Sequence, residues 1–150
     1  MKPPARIVSP PAWIAPAQPN GSPYLNPDKS FDMTAFLRAL AEVETGGKWQ
    51  AIGSKGEIGA YQFRRLTWNC YSELPFKYAA SPRFAPHVAA MHAMAIIGAL
   101  RHCGKVATAY NVALIWKCGI KAYLENSAGP ASRDHAERVS NLYQQFRPKR

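Results

Sequence analysis

Residues 41–68 read AEVETGGKWQAIGSKGEIGAYQFRRLTW, and the fold turns on where order stops and restarts within that stretch. Just upstream, Phe36, Leu37, Leu40 and Val43 recur at helical spacing, and Ser30–Asp32 can cap the start. This predicts a helix that ends at Gly46-Gly47 with Glu44 on its last turn. Lys48–Gln62 is polar and punctuated by Gly53, Gly56 and Gly59, which predicts a loop or a small hairpin. Leu66–Leu74 then predicts a short helix before Pro75.

Working outward, Pro86 suits a first helical turn, and Val88, Met91, Ala95 and Leu100 continue an apolar helix to about His102, ended by Gly104. Val106–Trp116 and Ser132–Phe146 predict two further helices, the second with Val139, Leu142, Tyr143 and Phe146 on one face. Neither a repeat nor a series of strands is visible. The expected fold class is mainly α, with at most one small β-hairpin near residues 48–62.

The chain has 150 residues, a length that fits one domain, and its 47% hydrophobic and 11% aromatic content is enough for a packed core. The longest apolar window, Val88–Leu100, falls short of the ~20 residues a membrane span needs, so no stable membrane insertion is expected. Eight of the thirteen prolines lie in Met1–Ser30. That segment predicts an extended arm or linker, residues 1–30, ahead of a domain covering 31–150. Its prolines also interrupt every run long enough for a secretory signal. Cys70, Cys103 and Cys118 form no CxxC pair, and His87 and His92 miss the i,i+4 spacing of a helical zinc site. Buried free thiols, no metal and no cofactor are expected.

The chemistry points to Glu44. The negative end of a helix dipole and apolar surroundings both favour the protonated form of a carboxyl group, and Trp49, Tyr61 and Phe63 follow in the adjoining loop. A protonated glutamic acid is what a general acid at a glycosidic oxygen requires.

Glu44-Thr45-Gly46, then Gly56-Glu57-Ile58-Gly59-Ala60-Tyr61-Gln62, then Thr67, resemble the E-S-G … G-x-x-G-L-M-Q-x-x-x-x-T signature of lytic transglycosylases with a goose-type lysozyme-like fold. GAYQF…TW is also similar to related lysozyme-like and resuscitation-promoting-factor domains. Ala109-Tyr110-Asn111 resembles the family's A-Y-N motif. Residues 132–139 with Tyr143 resemble its closing T-R-x-Y-V-x-R-V … Y helix. The resemblance spans Phe31–Phe146, and it implies a lysozyme-like α domain with Glu44 as the single catalytic acid/base. By the same resemblance, Tyr61 belongs to the substrate-binding loop, Gln62 holds the sugar's N-acetyl or neighbouring groups, and Gly59 permits close backbone approach. Tyr110 and Asn111 are implied to line the cleft, though a core tyrosine and a turn-capping asparagine are equally ordinary readings of that pair.

Two departures bear on chemistry. The family's A-Y-N-A-G is AYNVA at residues 109–113, and His135 stands where the closing helix has a tyrosine that contacts the catalytic glutamate. Imidazole can supply the same hydrogen bond to Glu44, and it can also carry charge; a core or surface histidine with no catalytic contact is an equal reading of the position.

The implied partner is the glycan strand of peptidoglycan, with no strong second acid beside Glu44: Glu57 falls in the loop and Glu42 points off the helix. A net charge of +10 favours encounter with an acidic wall polymer. The same charge fits a small nucleic-acid-binding protein. Its basic residues are dispersed, however, with tight groups only at Arg64-Arg65 and the C-terminus, so no specific nucleic acid is expected. A third reading is a catalytically weak wall-binding or virion structural protein of the same fold, against which the retained Glu44 argues. The site of action is expected in the cell wall or periplasm. With no visible signal peptide, delivery on a virion or by a secretion system is expected, the arm docking to proteins of that apparatus.

Overall fold

The computed structural model describes residues 30–149; the proline-rich arm lies outside them, apart from Ser30. The described residues are mainly helical and contain no strand. α1 spans Met33–Thr45. α2 (Arg65–Tyr71) and a 3-10 turn (Phe76–Ala80) follow the glycine-rich loop. α3 is the long central helix, Ala85–His102. α4 (Ala109–Cys118), the single-turn α5 (Ile120–Leu124) and α6 (Pro130–Phe146) complete the order.

α3 occupies the middle because it is apolar nearly all round. Val88, Met91, Ile96, Ile97 and Leu100 are buried, and so are six of its alanines. Small side chains on every face let α1, α2 and α4 approach it closely. α6, by contrast, buries only His135, Ala136, Val139 and Tyr143, a single stripe that seats on α1 and α4.

Both ends of α1 are held, and this positions Glu44. At the start, the Asp32 side chain accepts from the Ala35 amide at 3.0 Å, which satisfies one of the helix's free N–H groups. The Asp32 amide donates to the Tyr143 hydroxyl at 2.9 Å, and the Phe31 and Tyr143 rings pack 5.6 Å apart. At the end, Gly46 turns left-handed (φ 69°), and the amides of Gly46 and Gly47 close back on Glu42 and Ala41.

Where a hairpin is expected, the chain makes only isolated antiparallel bridges. Ile58 pairs with Ile52 and with Phe63, and Ile58 and Phe63 exchange both amide–carbonyl bonds at 3.0 Å. Gln62 turns the chain with φ 54°, which prevents the pairing from growing into a ladder. Gly59 (φ 91°) packs against the Ala79 carbonyl, so closely that a Cβ there would collide with it.

Two expectations need correction. The fourth helix begins at Ala109, because Thr108 caps it by accepting from the Asn111 amide at 3.0 Å; Val106 stays outside, 71% exposed. The cysteines are free, yet none is buried: Cys70 and Cys103 are exposed and Cys118 is half-buried. Each falls on a helix end or outer face rather than on the apolar stripe.

Candidate active site

A cleft of about 580 Å³ opens beside the C-terminal end of α1. Glu44 forms part of one wall. The loop contributes Lys55, Glu57 and Gln62, and the start of α2 adds Arg64 and Thr67. His92, Ile96 and Ala99 line it from α3, at the i, i+4, i+7 spacing of one helix face. The C-terminal end of α4 closes the other side with Trp116, Lys117 and Cys118.

The Glu44 side chain is only 7% exposed, and its Oε1 sits 2.8 Å from His135 Nε2 and 3.6 Å from Lys117 Nζ. His135 is buried as well. Nδ1 of the ring is buried with no hydrogen-bond partner among the described residues. An unpartnered buried N–H is costlier than an unpartnered acceptor. The arrangement therefore assigns the proton of a neutral His135 to Nε2, facing Glu44. Lys117 is 44% exposed and contributes charge at the cleft mouth more than stability.

The loop is braced from Glu44's neighbour. Thr45 Oγ1 lies 3.1 Å from the Ala60 carbonyl and 3.3 Å from the Ala41 carbonyl, and it accepts from the Lys48 amide at 3.1 Å. Behind the loop runs a chain of rings. Trp49 meets Tyr61 edge-on at 5.8 Å, Tyr61 meets Phe63 at 6.1 Å, and Phe63 packs against Trp68 and Trp116.

The residues expected at the site divide three ways. Glu44 and Gln62 line the cleft, and His135 touches Glu44 from behind. The Gln62 amide nitrogen is already engaged, donating to Gly59 O at 2.9 Å and lying 3.5 Å from Ala51 O. Tyr61 and Gly59 are buried in the supporting loop, outside the cleft lining; burial pushes the Tyr61 phenol up to about 12. Tyr110 and Asn111 border a separate depression of about 370 Å³ with Tyr123 and Arg133. There Asn111 Nδ2 donates to the Val106 carbonyl at 2.8 Å, fixing the approach to α4.

Sequence reasoning missed Lys117, Trp116 and His92, and set Glu57 aside, yet all four line the cleft. Lys117 and Trp116 were within reach, since they lie on the last turn of a helix already singled out for its first. His92 was weighed only as a metal ligand.

Residues 32–99 match the sequence model of the transglycosylase-like domain. The match covers α1, the loop, α2, the 3-10 turn and most of α3, and so includes Glu44, Glu57, Gln62 and His92. It supports an enzyme of the glycosidase or transglycosylase kind, with peptidoglycan as substrate and a lytic outcome. Comparison with curated proteins and with solved structures gave no significant match.

Proposed function

We propose that the chain is a lytic transglycosylase that cuts the bond between N-acetylmuramic acid and N-acetylglucosamine, with Glu44 as its acid and base. The observation that carries this reading is a carboxyl group 7% exposed in the wall of an open cleft, held against His135. In the first step Glu44 gives its proton to the bridging oxygen as the C1–O bond breaks. The substrate's own acetamido oxygen bonds to C1, so no second carboxylate is needed. In the second step the Glu44 carboxylate takes the proton of the sugar's carbon-6 hydroxyl, whose oxygen displaces the acetamido oxygen at C1 and closes the anhydro ring.

Mass spectrometry of digested sacculi tests this. Anhydro-muropeptides, lighter by one water than hydrolysis products, are expected. Glu44→Gln should retain the fold and lower lysis by at least ~100-fold; near wild-type lysis by that variant would remove Glu44 as the acid.

One observation favours hydrolysis as a second reading: Glu57 lines the same cleft, and hydrolysis by inversion uses a second carboxylate to activate water. Under the first reading Glu57→Gln keeps substantial activity. Reducing-end products, with activity lost in Glu57→Gln, would establish the hydrolytic route. For delivery, the proline-rich residues 1–30 are assigned to anchoring the enzyme to a partner, a virion protein in this reading. Removing Met1–Asn26 should leave lysis of isolated wall nearly unchanged.

A further inference from the structure

A Cβ placed on Gly53 would collide with Glu57 Oε2 and with Gln62 Oε1. The two oxygens therefore crowd one small space over the Gly53 Cα, and both side chains line the Glu44 cleft. The loop's backbone brings them together. Gly53 donates its amide to the Glu57 carbonyl at 2.8 Å, Gly56 closes the turn onto the Gly53 carbonyl at 3.1 Å, and Ile52 pairs with Ile58. Gln62 enters from the other side of the loop, where its Nε2 donates to the Gly59 carbonyl at 2.9 Å. That bond commits the amide nitrogen inside the loop and leaves Oε1 to face Glu57.

A carboxylate oxygen and an amide oxygen are both acceptors. Set against one space, they attract a donor and repel a third acceptor, and the carboxylate's charge strengthens both effects.

The glycan of peptidoglycan alternates two sugars. Each carries the 2-acetamido group and the 6-hydroxyl that the proposed cleavage uses, so the reaction chemistry does not by itself choose between the two linkages. The sugars differ at C3, where N-acetylglucosamine has a hydroxyl and N-acetylmuramic acid has a lactyl ether. A 3-hydroxyl donates to the Glu57–Gln62 pair. An ether oxygen has no proton to give, and the lactyl group brings bulk and acidity to a space already faced by a carboxylate. For that acidic substituent the cleft offers Lys55 and Arg64 instead.

We propose that Glu57 and Gln62 accept the 3-hydroxyl of N-acetylglucosamine and so fix the register of the strand across Glu44. Gly53 is the positioning residue, since its missing Cβ is what lets the two oxygens meet. This rests on reading the cleft as a glycan-cleaving site, and it adds the feature that selects one of the two linkages. A strand shifted by one sugar presents its lactyl ether to the pair and is rejected.

The test digests glycan strands freed of peptide and identifies by mass spectrometry which sugar carries each new end, whether anhydro or reducing. With the wild-type chain, new ends should fall overwhelmingly on N-acetylmuramic acid. Glu57→Ala removes a charged acceptor and should lower the ratio of muramic to glucosamine ends about tenfold. Glu57→Gln, which keeps an acceptor oxygen, should hold part of the preference. Gly53→Ala is the second variant: the new methyl meets first the ends of two flexible side chains, so the fold is kept while the oxygens are pushed aside. Its ratio should fall as in Glu57→Ala. Because the ratio does not depend on the overall rate, a general loss of stability leaves it unmoved. New ends divided equally between the sugars in the wild-type chain, or a ratio unchanged in both Glu57→Ala and Gly53→Ala, would overturn the register pocket while leaving cleavage by Glu44 standing. Loss of all cleavage in Glu57→Gln would make Glu57 the base of the hydrolytic route and overturn the pocket as well. A wild-type chain that cuts neither linkage would overturn both readings.

Discussion

Two histidines flank the cleft in opposite chemical situations. His135 presses on Glu44 and leaves its second nitrogen without a partner, whereas His92 is tied through Nδ1 to Tyr71. Replacing His135 by alanine deprives a nearly buried carboxyl group of its closest neighbour and opens a void behind it. Lysis of sacculi should fall at least ~10-fold, while His135→Tyr, which restores a donor, should retain much of it. A wild-type rate in the alanine variant would make His135 packing only. His92 predicts a stability effect instead. In the unfolded chain a histidine protonates near ~6.5, and in the fold His92 does so at about 4. Between those values the unfolded chain binds a proton that the folded chain refuses, so stability falls as pH drops through that window. The loss is on the order of 3 kcal/mol by pH 4, with no contribution from His92 above ~7. Denaturant unfolding at pH 7 and 4.5 measures it, and His92→Gln should flatten the difference; an equal fall in that variant would place the cause elsewhere.

The helices carry these side chains by their ends. α1 delivers Glu44 to the cleft because Gly46 stops it left-handed, and the loop stays closed because Gly59 lies on the Ala79 carbonyl. A Cβ at Gly46 meets open space, so Gly46→Ala should cost only the left-handed strain, ~1–2 kcal/mol. Gly59→Ala adds a clash with backbone to the same strain, and should cost at least ~3 kcal/mol. Thermal unfolding of the two variants checks the order, and a Gly46→Ala chain less stable than Gly59→Ala would reverse the account. The long elements were legible because α1 and α6 each bury an apolar stripe that sets a period, and α3 is a long apolar run between Pro86 and Gly104. The 3-10 turn and α5, five residues each, are too short to show one. Glu44 was legible as a carboxyl before two glycines. The company it keeps was only partly so: the family resemblance pointed to His135, and Lys117 lies on the last turn of the helix whose first turn carries Tyr110 and Asn111, whereas His92 comes from another element at a sequence distance that no local pattern encodes.

At the scale of the whole molecule, charge and cleft act together. Residues 31–150 hold 16 Lys+Arg against 8 Asp+Glu, an excess of +8, and the cleft itself is lined by Lys55, Arg64 and Lys117 against Glu44 and Glu57. Exposed cations dispersed over a surface do little for stability, but their summed field draws the molecule toward an acidic polymer and raises the rate of encounter. That field reaches about one Debye length, ~10 Å at 0.1 M salt and ~3 Å at 1 M. Contacts inside the cleft, 2.8 Å to His135 and 3.6 Å to Lys117, are well within the first of these lengths and are screened less. Encounter with intact sacculi should therefore be salt-sensitive and bond cleavage much less so. Raising salt from 0.05 to 0.5 M, values chosen as a roughly tenfold span of screening, should cut the initial rate on sacculi several-fold. With a short uncharged oligosaccharide at saturation, kcat should change by less than about twofold, because neither long-range attraction nor wall binding limits that reaction. Equal loss of rate on both substrates would mean that salt acts on the Glu44–Lys117–His135 cluster itself. The charge excess would then belong to catalysis, not to the search for the wall.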